Sequence, residues 1–293
     1  MVLQAPDLKS YQPLVEWARR EDLGAADITS QVTIPAEQMG RGVLVFREEG
    51  LLCGMPVVKE VLRQYDERLI LDAAFTDGQE VPTGAAAGLI NGPLRSLLAA
   101  ERVLLNFLQR LSGIATTTAA FVAAAAGTKA KIYDTRKTTP GWRELEKYAV
   151  RCGGGRNHRR GLYDAVLIKD NHLRALGTGD LKEKLTQTVE KIHKRSEKIE
   201  FIEVEVDDLN QLQTVLSVEG VDMVLLDNMT TEQLTRAVRL RDEVSGDRKF
   251  LLEASGSITL EKVEQIARTG VDRISVGALT HSVRGLDIGL DLS

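Results

Sequence analysis

Between Asp134 and His172 the chain reads DTRKTTPGWRELEKYAVRCGGGRNHRRGLYDAVLIKDNH. From Lys131 to Arg174, eleven Lys and Arg stand against five Asp and Glu, whereas the whole chain has 38 basic and 42 acidic residues and a formal charge of −4. A basic focus inside an acidic protein suits a multiply charged anion. Asp134, Arg136 and Lys137 stand just past an apolar run, with Thr-Thr-Pro-Gly turn chemistry behind them. Arg offers a planar fork for carboxylate, and Lys a compact charge for phosphate. The plainer alternative is a solvated loop. Next come Gly153-Gly154-Gly155, then Arg156, Asn157, His158, Arg159 and Arg160. Consecutive glycines let backbone approach a ligand, or merely make a surface loop. Neither a Walker loop nor a dinucleotide fingerprint is present.

Lys169 closes the run Ala165-Val-Leu-Ile and is followed by Asp170-Asn171-His172. At the end of a buried strand, such a lysine pairs with an anion, binds a ligand or acts as a nucleophile. Glu203 and Glu205 are two apart, so both face one side of a strand. With Asp227 on a later strand they form an oxygen donor set for Mg2+, or else a pair of buried carboxylates satisfied by Lys169, Arg136 and other cations. Ser255-Gly256-Ser257 and Ser275-Val-Gly277 follow the last two apolar runs. Small residues there expose backbone amides to an anion, or simply make tight turns.

The elements that carry these residues alternate. Apolar runs at Ala130–Tyr133, Ala165–Ile168, Phe201–Val206, Met223–Leu226, Phe250–Leu252 and Ile274–Val276 are separated by helical patterns at Leu181–His193, Leu209–Val218, Thr231–Val244 and Leu260–Thr269. That order predicts parallel strands with right-handed crossovers, and near-continuous apolar strands predict a sheet buried on both faces. Polar residues at six successive strand ends predict a barrel whose mouth is the site, since an open sheet concentrates function at one switch point. Upstream, Leu14–Arg20 and Leu94–Leu111 read as helices, and Gly42–Phe46, Leu69–Asp72 and Pro82–Asn91 as strands.

Composition narrows the class. A hydrophobic share of 43% and a charged share of 27% suit a globular chain, and no apolar run nears the roughly 20 residues of a membrane span. The start, MVLQAPDLKS, has no signal-peptide pattern, and two cysteines, Cys53 and Cys152, make neither a disulfide framework nor a metal motif. A reduced cytoplasmic compartment is expected, without nucleic acid as partner.

Together, EDLGAADIT, ERVLLNFLQRLSGIAT, DTRKTTPGWR, GGGRNHRRGLYDAVLIKDNH, EVEVD, LLDN and EASGSI closely resemble the quinolinate phosphoribosyltransferase family, in the family's order across nearly the whole chain. The resemblance implies an N-terminal open α/β sandwich over residues 1–112, with the tail 280–293 returning to it. It also implies an incomplete, TIM-like parallel α/β barrel of about seven strands over residues 113–279. The implied reaction joins quinolinate to phosphoribosyl pyrophosphate with decarboxylation, giving nicotinate mononucleotide for NAD synthesis, with Mg2+ and no organic cofactor. Arg136, His158, Arg159 and Lys169 would hold the two carboxylates of quinolinate, with Arg102 supplied by a partner in a homodimer or an assembly of dimers. Lys137, Glu205 and Asp227 would serve the phosphoribosyl pyrophosphate and its Mg2+, with Lys137, Lys169, Glu205 and Asp227 as the catalytic set. Ser255, Gly256, Ser257, Ser275 and Gly277 would hold the ribose phosphate. Ser257 departs from the family's usual second glycine, which predicts strain if that position needs a positive φ.

Overall fold

The computed structural model describes residues 3–177, 179–195, 198–244 and 250–293. They form two compact units. The first comprises 1–119, 137–155 and 279–293, and the second 120–136 and 156–278. Set beside a division at residue 112, the segment 137–155 counts with the first unit, and the junction lies within a helix rather than between elements.

The first unit opens with α1 (Leu8–Leu23) and α2 (Ile28–Thr33), whose N-caps Asp7 and Asp27 accept backbone N–H groups of the first turn. β1 (Met39–Phe46), β2 (Gly50–Leu51), α3 (Met55–Tyr65), β3 (Ile70–Ala73), β4 (Glu80–Val81) and β5 (Ala86–Pro93) follow. In β1, Gly42, Leu44 and Phe46 are buried and their neighbours are not, the period of two expected of a sheet covered on one face. The four-stranded antiparallel sheet has the order β12-β1-β5-β3, where β12 (Ile288–Leu292) is the end of the chain.

The helix α4 runs from Leu94 to Ala124, well past the expected end at Leu111. Its apolar stripe continues through Ile114, Ala115 and Phe121, all buried, so the Ala-rich stretch extends this helix instead of starting another. Gly113 gives the tail room: a Cβ there would lie 2.1 Å from the carbonyl oxygen of Arg284. Gly153 and Gly155 do the same for the helix α5 (Arg143–Cys152) against α4, because a Cβ would meet Ala115 O at 2.3 Å and Thr118 Cγ2 at 2.7 Å respectively. The glycine run therefore serves close backbone packing, and the ligand-approach reading is corrected for these two positions.

The second unit is the α/β layer. β6 (Lys131–Tyr133), β7 (Val166–Ile168), β8 (Ile202–Val206), β9 (Met223–Asp227), β10 (Leu251–Ser255) and β11 (Arg273–Ser275) form one parallel sheet, order β6-β11-β10-β9-β8-β7. The short helix α6 (Asp170–Ala175) follows β7, then α7 (Leu181–His193), α8 (Leu209–Leu216), α9 (Thr231–Val244) and α10 (Leu260–Arg268); the last short helix, α11 (Ala278–His281), belongs to the first unit from Leu279 on. Among the described residues this sheet has six strands where about seven were expected. The seventh position is reduced to one parallel bridge, Tyr133 with Arg156, which supplies Asp134 N–H to Arg156 O at 3.0 Å and Arg156 N–H to Ile132 O at 2.8 Å. Between that bridge and β7 no ladder is formed among the described residues. Among these residues no helix is long and apolar enough to cross a membrane.

Candidate active site at the strand ends

Strand register sorts the side chains. Glu203 pairs with Met223, Glu205 and Glu253 with Leu225, Asp227 with Ser255, and Glu253 with Arg273. Paired residues in a parallel ladder point the same way, so Glu203, Glu205, Asp227, Glu253, Ser255 and Arg273 share one face. Val204, Val206, Val224, Leu226, Leu252 and Ala254 fill the other, and all are buried.

Two levels of charge result. Near the carboxyl ends, Lys169 Nζ donates to Glu205 Oε2 at 2.7 Å; the lysine is 46% exposed and Glu205 10%. Lys169 directly follows β7, where its N–H donates to His172 Nδ1 at 2.9 Å and its carbonyl accepts from Leu173. At the end of β9, Asp227 Oδ2 accepts from Nδ2 of the next residue, Asn228, at 2.8 Å.

Deeper in the sheet, His158 Nε2 lies 3.0 Å from Glu203 Oε2 and 3.3 Å from Glu253 Oε1, while Arg273 Nε lies 2.7 Å from Glu253 Oε2. The Arg273 guanidinium also lies over the Tyr133 ring, 3.7 Å from its centroid. Burial opposes a charged His158 ring and its bonds to Glu203 and Glu253 pull it upward, but the Arg159 N–H seated on Nδ1 decides for the neutral ring. Burial and the neighbouring Glu253 push Glu203 up, whereas His158 and Arg273 hold Glu253 down despite its burial. Nδ1 accepts the Arg159 N–H at 2.8 Å, so in this geometry the ring carries its proton on Nε2; a second proton could bind only where that amide now sits. Glu203 thus meets His158 through Oε2 and the charge of Arg273 nearby, while Glu205 takes Lys169.

Arg159 is 8% exposed. Burial and the adjacent Arg136 cation lower it from the usual arginine range. Its Nη1 donates to Ala165 O at 3.3 Å. Fully buried Asp134 anchors the same segment, accepting from Asn157 Nδ2 at 2.6 Å and His158 N–H at 2.8 Å.

Ser255, Gly256 and Ser257 line a cavity of about 350 Å3 together with Asn228, Thr230 and Lys262. Gly256 has φ +93°, and a Cβ there would fall 2.2 Å from Asn228 Oδ1, so only glycine fits. Ser257 has φ +48°, the left-handed region anticipated for this position. A side chain there costs about 1 kcal/mol. Ser257→Gly should therefore raise Tm by about 1–3 °C in a thermal melt, the relief exceeding the added unfolded-chain entropy. A lower Tm would mean that the loop is not strained.

Ser275 is buried at the end of β11, and Gly277 lies two residues on. The second unit thus carries Arg136, His158, Arg159, Lys169, Glu205, Asp227, Ser255, Gly256, Ser257, Ser275 and Gly277. Arg102 and Lys137 belong to the first unit, both exposed: Arg102 on α4, and Lys137 with its carbonyl accepting from Thr280 Oγ1 at 2.8 Å. Sequence reasoning missed the roles of Asp134, Glu253 and Arg273. The only signal was their polarity beside apolar runs.

Residues 114–291 match the family described as "Quinolinate phosphoribosyl transferase, C-terminal domain", and residues 27–112 match its N-terminal domain. The "Nicotinate-nucleotide pyrophosphorylase [carboxylating]" of Mycobacterium leprae is 45% identical over 281 residues, covering 94% of each chain. A "Probable nicotinate-nucleotide pyrophosphorylase [carboxylating]" of Bacillus subtilis is 40% identical, covering 93% of this chain and 90% of that protein. The solved nicotinate-nucleotide pyrophosphorylase of Francisella tularensis superposes with a TM-score of 0.88 at 37% identity, over 100% of this chain and 99% of the other.

Proposed function

This chain belongs to the quinolinate phosphoribosyltransferase family, and from that premise we propose how its strand-end site carries out the family's reaction. The enzyme transfers the phosphoribosyl group of phosphoribosyl pyrophosphate to quinolinate, with loss of one carboxylate, to give nicotinate mononucleotide, CO2 and pyrophosphate for NAD synthesis. The observation that carries the site assignment is the gathering at the strand ends of Lys169, bonded to Glu205 at 2.7 Å, and Asp227, bonded by Asn228, beside the segment that carries the buried Arg159. A dicarboxylate is a ligand whose two charges suit cations such as Arg159 and Lys169.

In this reading Arg136, Arg159 and Lys169 grip the carboxylates of quinolinate and aim its ring nitrogen at the anomeric carbon. The new C–N bond forms as the C–O bond to pyrophosphate breaks, and positive charge develops on the sugar. The Glu205 carboxylate, held by Lys169, favours that charge. The ring-2 carboxylate then leaves as CO2; the electron pair left on C2 is stabilised by the adjacent, newly cationic ring nitrogen, and C2 takes up a proton from solvent. Lys137 would serve the pyrophosphate, and Ser255, Gly256, Ser257, Ser275 and Gly277 the 5-phosphate.

Glu205 and Asp227 fit Mg2+: both are hard oxygen donors on one face of adjacent strands, each with one oxygen held by Lys169 or Asn228. When bound, the ion would neutralise charge on the departing diphosphate. The proposed assembly is a homodimer, or dimers of it, with Arg102 completing the partner's site. Exposed Arg102 on α4, and Ile28 and Val32 on one face of α2 at 75% and 78% exposure, support a self-association surface. A reducing cytoplasm suits the two free cysteines.

The test is direct. Purified protein with Mg2+, phosphoribosyl pyrophosphate and quinolinate should yield nicotinate mononucleotide by chromatography, and nicotinate in parallel should yield none. Product from nicotinate alone would move the substrate assignment. A chelator should abolish the reaction.

A further inference from the structure

The segment from Arg156 to Arg159 occupies the place of a missing barrel strand, yet a single bridge is the only ladder contact that it makes among the described residues. What replaces the ladder is side-chain bonding. Asp134 takes the His158 amide and the Asn157 side chain. The His158 ring links downward to Glu203 at 3.0 Å and sideways, through Nδ1, to the Arg159 amide at 2.8 Å. Glu203, Glu253 and Arg273 below it are buried, the two glutamates completely. A fully buried carboxylate pair on one histidine and one arginine is an expensive core for a barrel that apolar side chains could fill. Neither glutamate is needed to explain the anion site above.

We propose that Glu203, with Glu253 and Arg273 behind it, is a positioning residue for quinolinate binding: it orients the His158 ring so that Nδ1 fixes the Arg159 backbone and aims its guanidinium at a substrate carboxylate. Here His158 acts through Arg159, since both ring nitrogens are engaged by the protein. The inference rests on the assignment of Arg159 to quinolinate made above. Register is the physical reason that only a long-range network can do this. Arg159 follows the bridge residue Arg156, and Glu203 and Glu253 lie on β8 and β10, so the ring joins this segment to strands with which it shares no ladder.

The experiment compares four forms of the full-length enzyme: wild type, Glu203→Leu, Glu203→Gln and Arg159→Ala. Thermal midpoints are recorded with KM for each substrate and kcat. Glu203→Leu deletes one of two neighbouring carboxylates and leaves Glu253 with Arg273, so the midpoint should hold. Its KM for quinolinate should rise about tenfold while KM for phosphoribosyl pyrophosphate stays within about twofold, the signature of a misaimed guanidinium. Glu203→Gln keeps an acceptor for Nε2 and should restore most of the loss. If Arg159→Ala raises the quinolinate KM but Glu203→Leu does not, the positioning role is overturned and the site assignment stands. If Arg159→Ala leaves that KM unchanged, the assignment of Arg159 falls and the positioning role with it. An equal rise in both KM values for Glu203→Leu would mark a distorted sheet and also overturn the proposal. Should Glu203→Leu fail to fold, His158→Gln keeps a donor toward the glutamates and removes only the acceptor for Arg159; the same comparison then decides.

Discussion

Lys169→Ala lowers kcat/KM by about 10³-fold and leaves the protein folded, the expected outcome if one ammonium group serves both substrates at the strand ends. Its Nζ is 2.7 Å from Glu205 Oε2, and the lysine is 46% exposed at a strand end, so the carboxylate that it abandons is near enough to solvent to be rehydrated. Stability should move little, as circular dichroism and the thermal midpoint would show. Activity should collapse, because the quinolinate carboxylates lose a cation and Glu205 loses the donor that orients it. Lys169→Arg should not recover the rate, since a planar fork cannot replace a compact ammonium at that distance. Turnover near the wild-type value in the alanine variant would remove Lys169 from the site.

The second large effect is a gain. Arg102→Ala and Arg136→Ala subunits, each inactive alone, should regain about a quarter of wild-type activity after equal mixing and subunit exchange. In a mixed dimer one site combines Arg136 of one subunit with Arg102 of the other and is intact, while the second site lacks both arginines. Random pairing makes half of the dimers mixed, and half of their sites whole. Exchange must be shown independently, for instance by differently tagged subunits that co-purify. No recovery despite exchange would mean that Arg102 serves its own subunit or none.

Much of the barrel unit was readable from local pattern. Its six strands follow runs such as Phe201–Val206 and Met223–Leu226, buried enough to be apolar nearly throughout, and α7 and α9 begin and end at the residues that the sequence indicated. The first unit was harder. α5 went unread because Glu146 and Lys147 within it are charged yet completely buried, and because the glycines after it suggested a ligand loop. Those glycines answer to α4, an element far upstream, so nothing beside them in the chain could have revealed it. Cys53 and Cys152 likewise seemed unrelated; their sulfurs converge with an Asp77 carboxylate oxygen, all within 4.8 Å of one another.

The charged residues of the site divide in the same way. Period two alone determined that Glu203 and Glu205 share a face, and strand ends alone determined where Lys169, Asp227 and Ser255 gather, because both follow from the geometry of a single extended chain. Which cation each carboxylate meets was decided by tertiary structure. Lys169 reaches Glu205 and His158 reaches Glu203 because of the register between β7 and β8 and the side-chain-held segment that stands in for a strand. Register is a property of pairs of strands, fixed by how their faces pack, and that is why two glutamates with one residue between them take different partners.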